Sequence, residues 1–263
     1  MIGSLFHSVV YQPIYNLLVL LYDVVPGSDF GAAIILLTLL LKAALIPLSK
    51  HQIESQKKIQ EIQPEIKKIQ QKYKHSREEQ SRAIMAFYKE RKVNPFSGCL
   101  PLILQLTVLI AIYRVLFAIA SADFSVNSEV LYSFLLNPGS VNRLSFGFLD
   151  LSHPSIVLAV ITAMAQYYQM KMMMARQNQD KKKSSDKASG KEKQENFPAK
   201  KEDELDFSQI MSKQMLYIGP AMTLFFGATF PSGLALYWLT STLFMIGQQW
   251  YLLERRGRVS QAR

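Results

Sequence analysis

The chain has 263 residues, 49% of them hydrophobic, yet 30 Lys and Arg face 20 Asp and Glu for a formal net charge of +10. That is too apolar for a disordered protein and too unevenly charged for an ordinary soluble domain. The single cysteine, Cys99, excludes an internal disulfide and a cysteine-based zinc site, and the four histidines are scattered with no HExxH, so no metal and no other cofactor is expected.

Residues 1–30 are apolar but interrupted by His7, Gln12, Pro13, Asn16 and Asp23. They read as an extracytoplasmic helix lying in the membrane interface, with a poor first span as the competing reading. No Lys or Arg precedes Lys42, so the basic start of a signal peptide is missing.

Gly31–Ser49, GAAIILLTLLLKAALIPLS, is a nearly unbroken apolar run long enough to cross a bilayer. Lys42 lies within it. A lysine at that depth costs about 2.5–3.5 kcal/mol on insertion scales, so it is expected to face protein or water. Thr38, Lys42, Leu45 and Ser49 recur at helical spacing, which gathers polar atoms on one face. Pro47 has no N–H and leaves the Ala43 carbonyl without its helical donor. The pattern points to a wet, positively charged cavity within the bilayer. The plainer alternative is a lysine snorkelling to the headgroups beside a packing proline.

Lys50–Lys92 turns abruptly polar and basic. Ile59, Ile62, Ile66, Ile69 and Tyr73 form a heptad seam. Pro64 opens a helix, and Ser76-Arg77-Glu78-Glu79 has the form of a capping box that starts another. Ile84, Phe87 and Tyr88 can then pack on the seam, giving a cytoplasmic helical hairpin over 50–95 that turns near Lys74–His75. Further spans are expected at about 99–120, 155–174, 213–230 and 234–253. The second carries Gln105, Thr107 and Arg114, the last close enough to the outer end to snorkel. On the third, Thr162, Gln166 and Gln169 share a face, and four methionines follow at its cytoplasmic end. Gly219-Pro220 breaks the fourth. On the fifth, Trp238, Ser241, Met245 and Gln248 share a face. Residues 121–153 read as a short extracytoplasmic loop, and 177–206, rich in Lys, Ser, Asp, Glu and Gln, as a disordered cytoplasmic one.

The fold class is therefore an all-α polytopic membrane protein with five transmembrane helices, a cytoplasmic hairpin and an N-terminal interfacial helix. Of the 30 basic residues, 27 fall in segments placed inside, Arg143 alone falls outside, and two lie in spans. By the positive-inside rule the N-terminus is outside and the C-terminus cytoplasmic, in the cell inner membrane. Polar faces on several spans would be unsatisfied in lipid. If they converge they line a hydrated cavity with Lys42 as its fixed charge, open inward and attractive to a carboxylate-bearing chain segment.

The run LLTLLLKAALIPLS around Lys42, the following IQEIQPEIKKIQQKYK, VNPFSGCLPLILQL at Val93–Leu106 and FPSGLALYWLTSTLFMIGQQ at Phe230–Gln249 carry a resemblance. In this order and spacing they are similar to the YidC/Oxa/Alb membrane-protein insertase family over about Leu5–Glu254, in the short bacterial form without a large extracytoplasmic domain. The resemblance implies an insertase core over 31–254 with a groove open to cytoplasm and lipid. It implies that small nascent membrane proteins are inserted into the lipid bilayer, alone or with the Sec translocon, and often from the ribosome. It places Lys42 where the family usually has arginine, which retains the attraction but not bidentate carboxylate binding. It matches Gln105 to a second-span glutamine, Gln166 to a third-span groove glutamine and Trp238 to a groove tryptophan. Thr38, Lys42, Gln105, Gln166 and Trp238 are the candidate groove residues.

No enzyme is expected. Phe230-Pro231-Ser232-Gly233 faintly resembles an intramembrane serine-protease motif, but the first glycine is missing and no histidine lies in a span. A small channel or transporter is the alternative function, and it needs a path open to both sides.

Overall fold

The computed structural model describes residues 2–49, 55, 58–59, 62–94, 100–188 and 207–261, and the chain is mostly helical over them. It forms two compact units. The first joins Met1–Ala44, Thr107–Met172 and Asp206–Arg263, and the second joins Leu45–Leu106 and Met173–Leu205.

In the first unit, α1 (Ile2–Phe6) runs through a π-helical turn (His7–Tyr11) into α2 (Gln12–Val24). Pro13 sits in the first turn of α2, where its missing N–H leaves no bond unmade. Tyr15, Leu18, Val19 and Tyr22 recur at the helical period and are buried. They join the core that α2 shares with α3 (Phe30–Ala44), which also packs against α9 (Ser232–Gln261). Helix α6 (Leu100–Ser121) adds Ala111, Ile112, Val115 and Ile119 to the same core. Helices α7 (Ile156–Ala188) and α8 (Phe207–Thr229) approach so closely that a methyl at Gly227 would come 2.8 Å from Ala159 Cβ. Such contacts matter because lipid tails are as apolar as leucine, so helices in a bilayer adhere through close packing more than through burial.

The segment 122–155 is ordered by side chains of α2 and by Asp29. Asn16 is buried; its Oδ1 accepts the Tyr132 N–H at 2.6 Å and its Nδ2 donates to Val130 O at 2.9 Å. Gln12 donates to the same carbonyl at 3.2 Å. The Tyr15 and Tyr22 hydroxyls accept the N–H groups of Asn127 and Asn142 at 2.8 and 3.1 Å. Gln12 and Asn16, two of the polar breaks in residues 1–30, are thus used for tertiary bonding rather than for a water-facing stripe. Strands β1 (Leu144–Ser145) and β2 (Leu149–Asp150) pair antiparallel about a turn in which Phe146 and Gly147 have φ of +54° and +75°. Asp29 caps α3 through Ala32 N–H at 2.9 Å and binds this turn, taking the Ser145 hydroxyl on one oxygen and the Phe146 N–H at 2.6 Å on the other. Burial pushes the Asp29 carboxyl up, but these bonds and one from Gly31 N–H outweigh it and hold the group below the usual carboxylate range. Gly31 is required here, since a methyl would lie 2.1 Å from Ser145 Oγ. Ser232, the serine of the protease-like motif, donates its hydroxyl to Asp150 O and its N–H to His153 O, so it is an anchoring residue at the start of α9.

In the second unit, α4 (Gln63–Lys72) and α5 (Arg77–Glu90) pack against each other. Their antiparallel register is marked by Arg91 on Glu65 at 2.9 and 3.0 Å and by Gln80 Nε2 on Gln70 O at 2.8 Å. Ser76 caps α5 by accepting Glu79 N–H at 3.4 Å. Ile66 is buried, Ile69, Ile84 and Phe87 are half-buried, and burial raises the Tyr88 phenol.

Two sequence expectations are corrected. The first apolar run is not one helix to Ser49: α3 stops at Ala44, Leu45 is a turn, and residues 46–49 are helical again. Pro47 explains the break, because it cannot donate to the preceding turn and its ring crowds Ala43. Residues 177–188, expected to be disordered, continue α7 as helix. They hold Gln, Asp, Lys, Ser and Ala with no glycine or proline, and several of these are good helix formers. Residues 189–206 lie outside the described residues, as do 50–54, 56–57, 60–61 and 95 of the hairpin range. Among the described residues, Gly3–Val24 and Ile103–Ser121 are long and apolar enough to cross a membrane, and Phe30–Ala44 and Leu216–Thr229 are shorter apolar helices.

Candidate functional site

Lys42 lies in the last turn of α3, half-buried, three residues before the break at Leu45. Its Nζ is 3.7 Å from Met245 Sδ of α9. From α7, Gln169 Nε2 approaches the same sulfur at 3.6 Å. Three helices therefore bring a cation, an amide and a thioether together. The sulfur is a weak acceptor and carries no charge, so this contact does not cancel that of the ammonium.

One turn along α7, Gln166 Oε1 accepts the hydroxyl of Thr223 from α8. Its amide nitrogen lies over Gly219, where a methyl would be 3.4 Å away. Thr223 in turn lines a small crevice with Thr162, Phe226, Gly227, Leu234 and Trp238. Trp238 and Met245 are seven residues apart on α9 and share a face, so the polar strip runs about 10 Å along the helix. The chemistry available is that of a cation with amide and hydroxyl groups on largely apolar walls. This suits holding a carboxylate or a peptide group.

The five sequence candidates divide as follows. Lys42, Gln166 and Trp238 lie along this strip, in the first unit. Thr38 is fully buried with its hydroxyl bonded to Ile34 O at 2.7 Å, so it belongs to the packing of α3. Gln105 is half-buried in the first turns of α6, within the second unit. Gln169, Met245 and Thr223 are at the centre of the strip and were not among the candidates. The helical faces on which Gln169 and Met245 lie were legible. Which residue on each face stands level with Lys42 depends on how the helices are staggered.

Helices with exposed apolar surfaces, two of them long and apolar enough to cross a bilayer, match the class of helical membrane proteins. A family model described as 60Kd inner membrane protein matches residues 20–258, and the chain belongs to this family. It is 31% identical over 228 residues to a membrane protein insertase YidC of Fusobacterium nucleatum, covering 87% of this chain and 88% of the relative. It is 29% identical to a membrane protein insertase YidC of Streptomyces avermitilis, covering 89% of this chain and 54% of that one. The YidC of Francisella tularensis subsp. novicida is 32% identical and matched over 86% of this chain and 32% of its own length. The chain thus spans most of the first relative but only about half and a third of the other two. A crystal structure of an active YidC insertase, with its first transmembrane domain resolved, superposes with a TM-score of 0.51 at 25% identity, covering 92% of this chain and 47% of that one.

Proposed function

We infer that the chain is a membrane-protein insertase that takes small nascent membrane proteins from the cytoplasm into the lipid bilayer. The relatives named as insertases support the activity. The observation that carries the mechanism is the meeting of Lys42, Gln169 and Met245, with Nζ 3.7 Å and Nε2 3.6 Å from one sulfur. In this reading Lys42 is the fixed charge of a hydrated groove whose walls include Gln166 and Trp238, with Thr38 supporting it from the core of the same unit. An acidic tail of the client is drawn to the lysine, because opposite charges attract more strongly where water is scarce. The apolar distance that the tail must cross shortens, and the client's own span slides into lipid alongside.

The proposal includes the five-span topology: an interfacial N-terminal segment 1–30 outside, a core over 31–254, the hairpin 50–95 and the tail inside. The distribution of 27 basic residues in the inner segments against Arg143 outside supports it. The Sec translocon and the ribosome enter as partners on the family resemblance and on the basic hairpin, which suits electrostatic contact with RNA.

The test is rescue of an insertase-depleted strain, scored by insertion of a small client with an acidic outer tail. Wild type and Lys42→Arg should rescue, and well-expressed Lys42→Ala should fail. Equal rescue by all three would remove Lys42 from the mechanism while leaving the activity. Ion conductance in liposomes without client insertion would favour a channel.

A further inference from the structure

Large apolar side chains stand out from the segment 122–155: Phe134 is 77% exposed, Leu136 85% and Phe148 80%. The backbone that carries them is not loose. Tyr132 N–H is held by the buried Asn16, and Phe146 N–H by Asp29. Phe146 keeps a φ of +54°, an uncommon conformation for a bulky residue. The rings form two separate pairs, Tyr132 stacked with Phe134 at 5.5 Å and Phe146 tilted against Phe148 at 6.3 Å, and no ring contact joins the two pairs among the described residues.

We propose that these two aromatic pairs are anchors that dip into the outer leaflet of the bilayer, seating the loop among the headgroups and upper acyl chains. This rests on the reading of residues 121–153 as extracytoplasmic. Three features select lipid as the occupant. The Phe146–Phe148 pair is tied to Asp29, which immediately precedes α3, and the segment that carries both pairs runs from the end of α6 at Ser121 to the start of α7 at Ile156. The apolar exposure continues onto the flanking turns, where Phe117, Ile156 and Val157 are open. The segment holds one cation, Arg143, against Asp123, Glu129 and Asp150, so it offers little to an acidic partner. A tyrosine such as Tyr132 favours the headgroup level, with an apolar ring body and a hydroxyl for water, and the wholly apolar phenylalanines and Leu136 suit the acyl chains just beneath it.

The single cysteine makes the test direct. In Cys99→Ser protein, nitroxide labels are placed through Leu136→Cys or Phe148→Cys, leaving Phe134 and Phe146 intact. Phe117→Cys serves as a label on the span and Glu129→Cys as a label on the polar part of the loop. The proteins are reconstituted in phosphatidylcholine–phosphatidylglycerol vesicles, and collision with oxygen is compared with collision with a water-soluble nickel chelate. The expected result is an oxygen-to-nickel ratio at 136 and 148 shifted towards that at 117 and away from that at 129. Water-like ratios at 136 and 148, with a lipid-like ratio at 117, would overturn the anchor and leave the insertase reading standing. Labels at 136 and 148 immobilised and shielded from both reagents would also overturn it, in favour of a second copy of the chain. Water-like ratios at 117 as well would overturn the span and the anchor together.

Discussion

Replacing Asp29 with alanine should loosen the join between α3 and the turn at Ser145–Phe146. Four groups lose their acceptor: the N–H groups of Gly31, Ala32 and Phe146 and the hydroxyl of Ser145. A lost N-cap costs about 1 kcal/mol. Ser145 is fully buried, and a buried donor left unsatisfied costs about 1–3 kcal/mol. Phe146 is exposed, so water replaces most of its bond. The sum is about 2–4 kcal/mol, which for a chain of this size lowers the melting temperature by roughly 5–10 °C. Asp29→Asn keeps the cap but offers one acceptor oxygen instead of two, so it should lose about half as much. The assay is thermal unfolding in nanodiscs, paired with amide exchange at Phe146, which should speed up in both variants. The pH dependence has a fixed sign. The folded carboxyl lies below its unfolded value, so its contribution is complete above about pH 4 and is lost as pH falls through the folded value. An unchanged melting temperature together with unchanged exchange at Phe146 would refute the reasoning.

Gly227→Ala forces a methyl to within 2.8 Å of Ala159 Cβ and 3.1 Å of its Cα, so α7 and α8 must separate. The expected cost is about 1–3 kcal/mol, read in the same unfolding assay, and Ala159→Gly should recover part of it. The Thr223–Gln166 bond should appear as a coupling of about 0.5–1.5 kcal/mol in a cycle of Thr223→Val and Gln166→Leu; strictly additive effects would contradict it. Arg91→Ala breaks a pair whose side chains are 48% and 45% exposed. It should cost at most about 1 kcal/mol and less at high salt. A larger loss would mean that the ion pair, rather than the isoleucine seam, holds α4 to α5.

How much was legible follows from the range of the interactions involved. The helix start at Arg77 is written in four residues, Ser76 to Glu79, because a cap is local. The interruption of α3 near Pro47 was present as a missing donor, but its position one helical turn short of Ser49 emerges only once the chain is free to turn at Leu45. Lys42 was legible because a charge in an apolar run is conspicuous. Thr38 shared its face in projection, yet back-bonding to Ile34 and packing against neighbouring helices bury it. Asn16 was legible only as a polar interruption of an apolar segment, because a loop more than a hundred residues distant supplies its partners.

Composition, the apolar runs, the basic asymmetry and the order of the motifs by themselves determined the helical membrane class and the family, because these depend on transfer free energy and local periodicity. The tertiary structure alone decided that Met245 and Gln169 stand level with Lys42, that Gln166 meets Thr223, and that Asp29 holds a turn 116 residues away in the chain. Helical periodicity assigns a residue to a face. The axial stagger and rotation of one helix against another, set by close contacts such as Gly227 on Ala159 and Gly31 on Ser145, decide which residues on those faces meet.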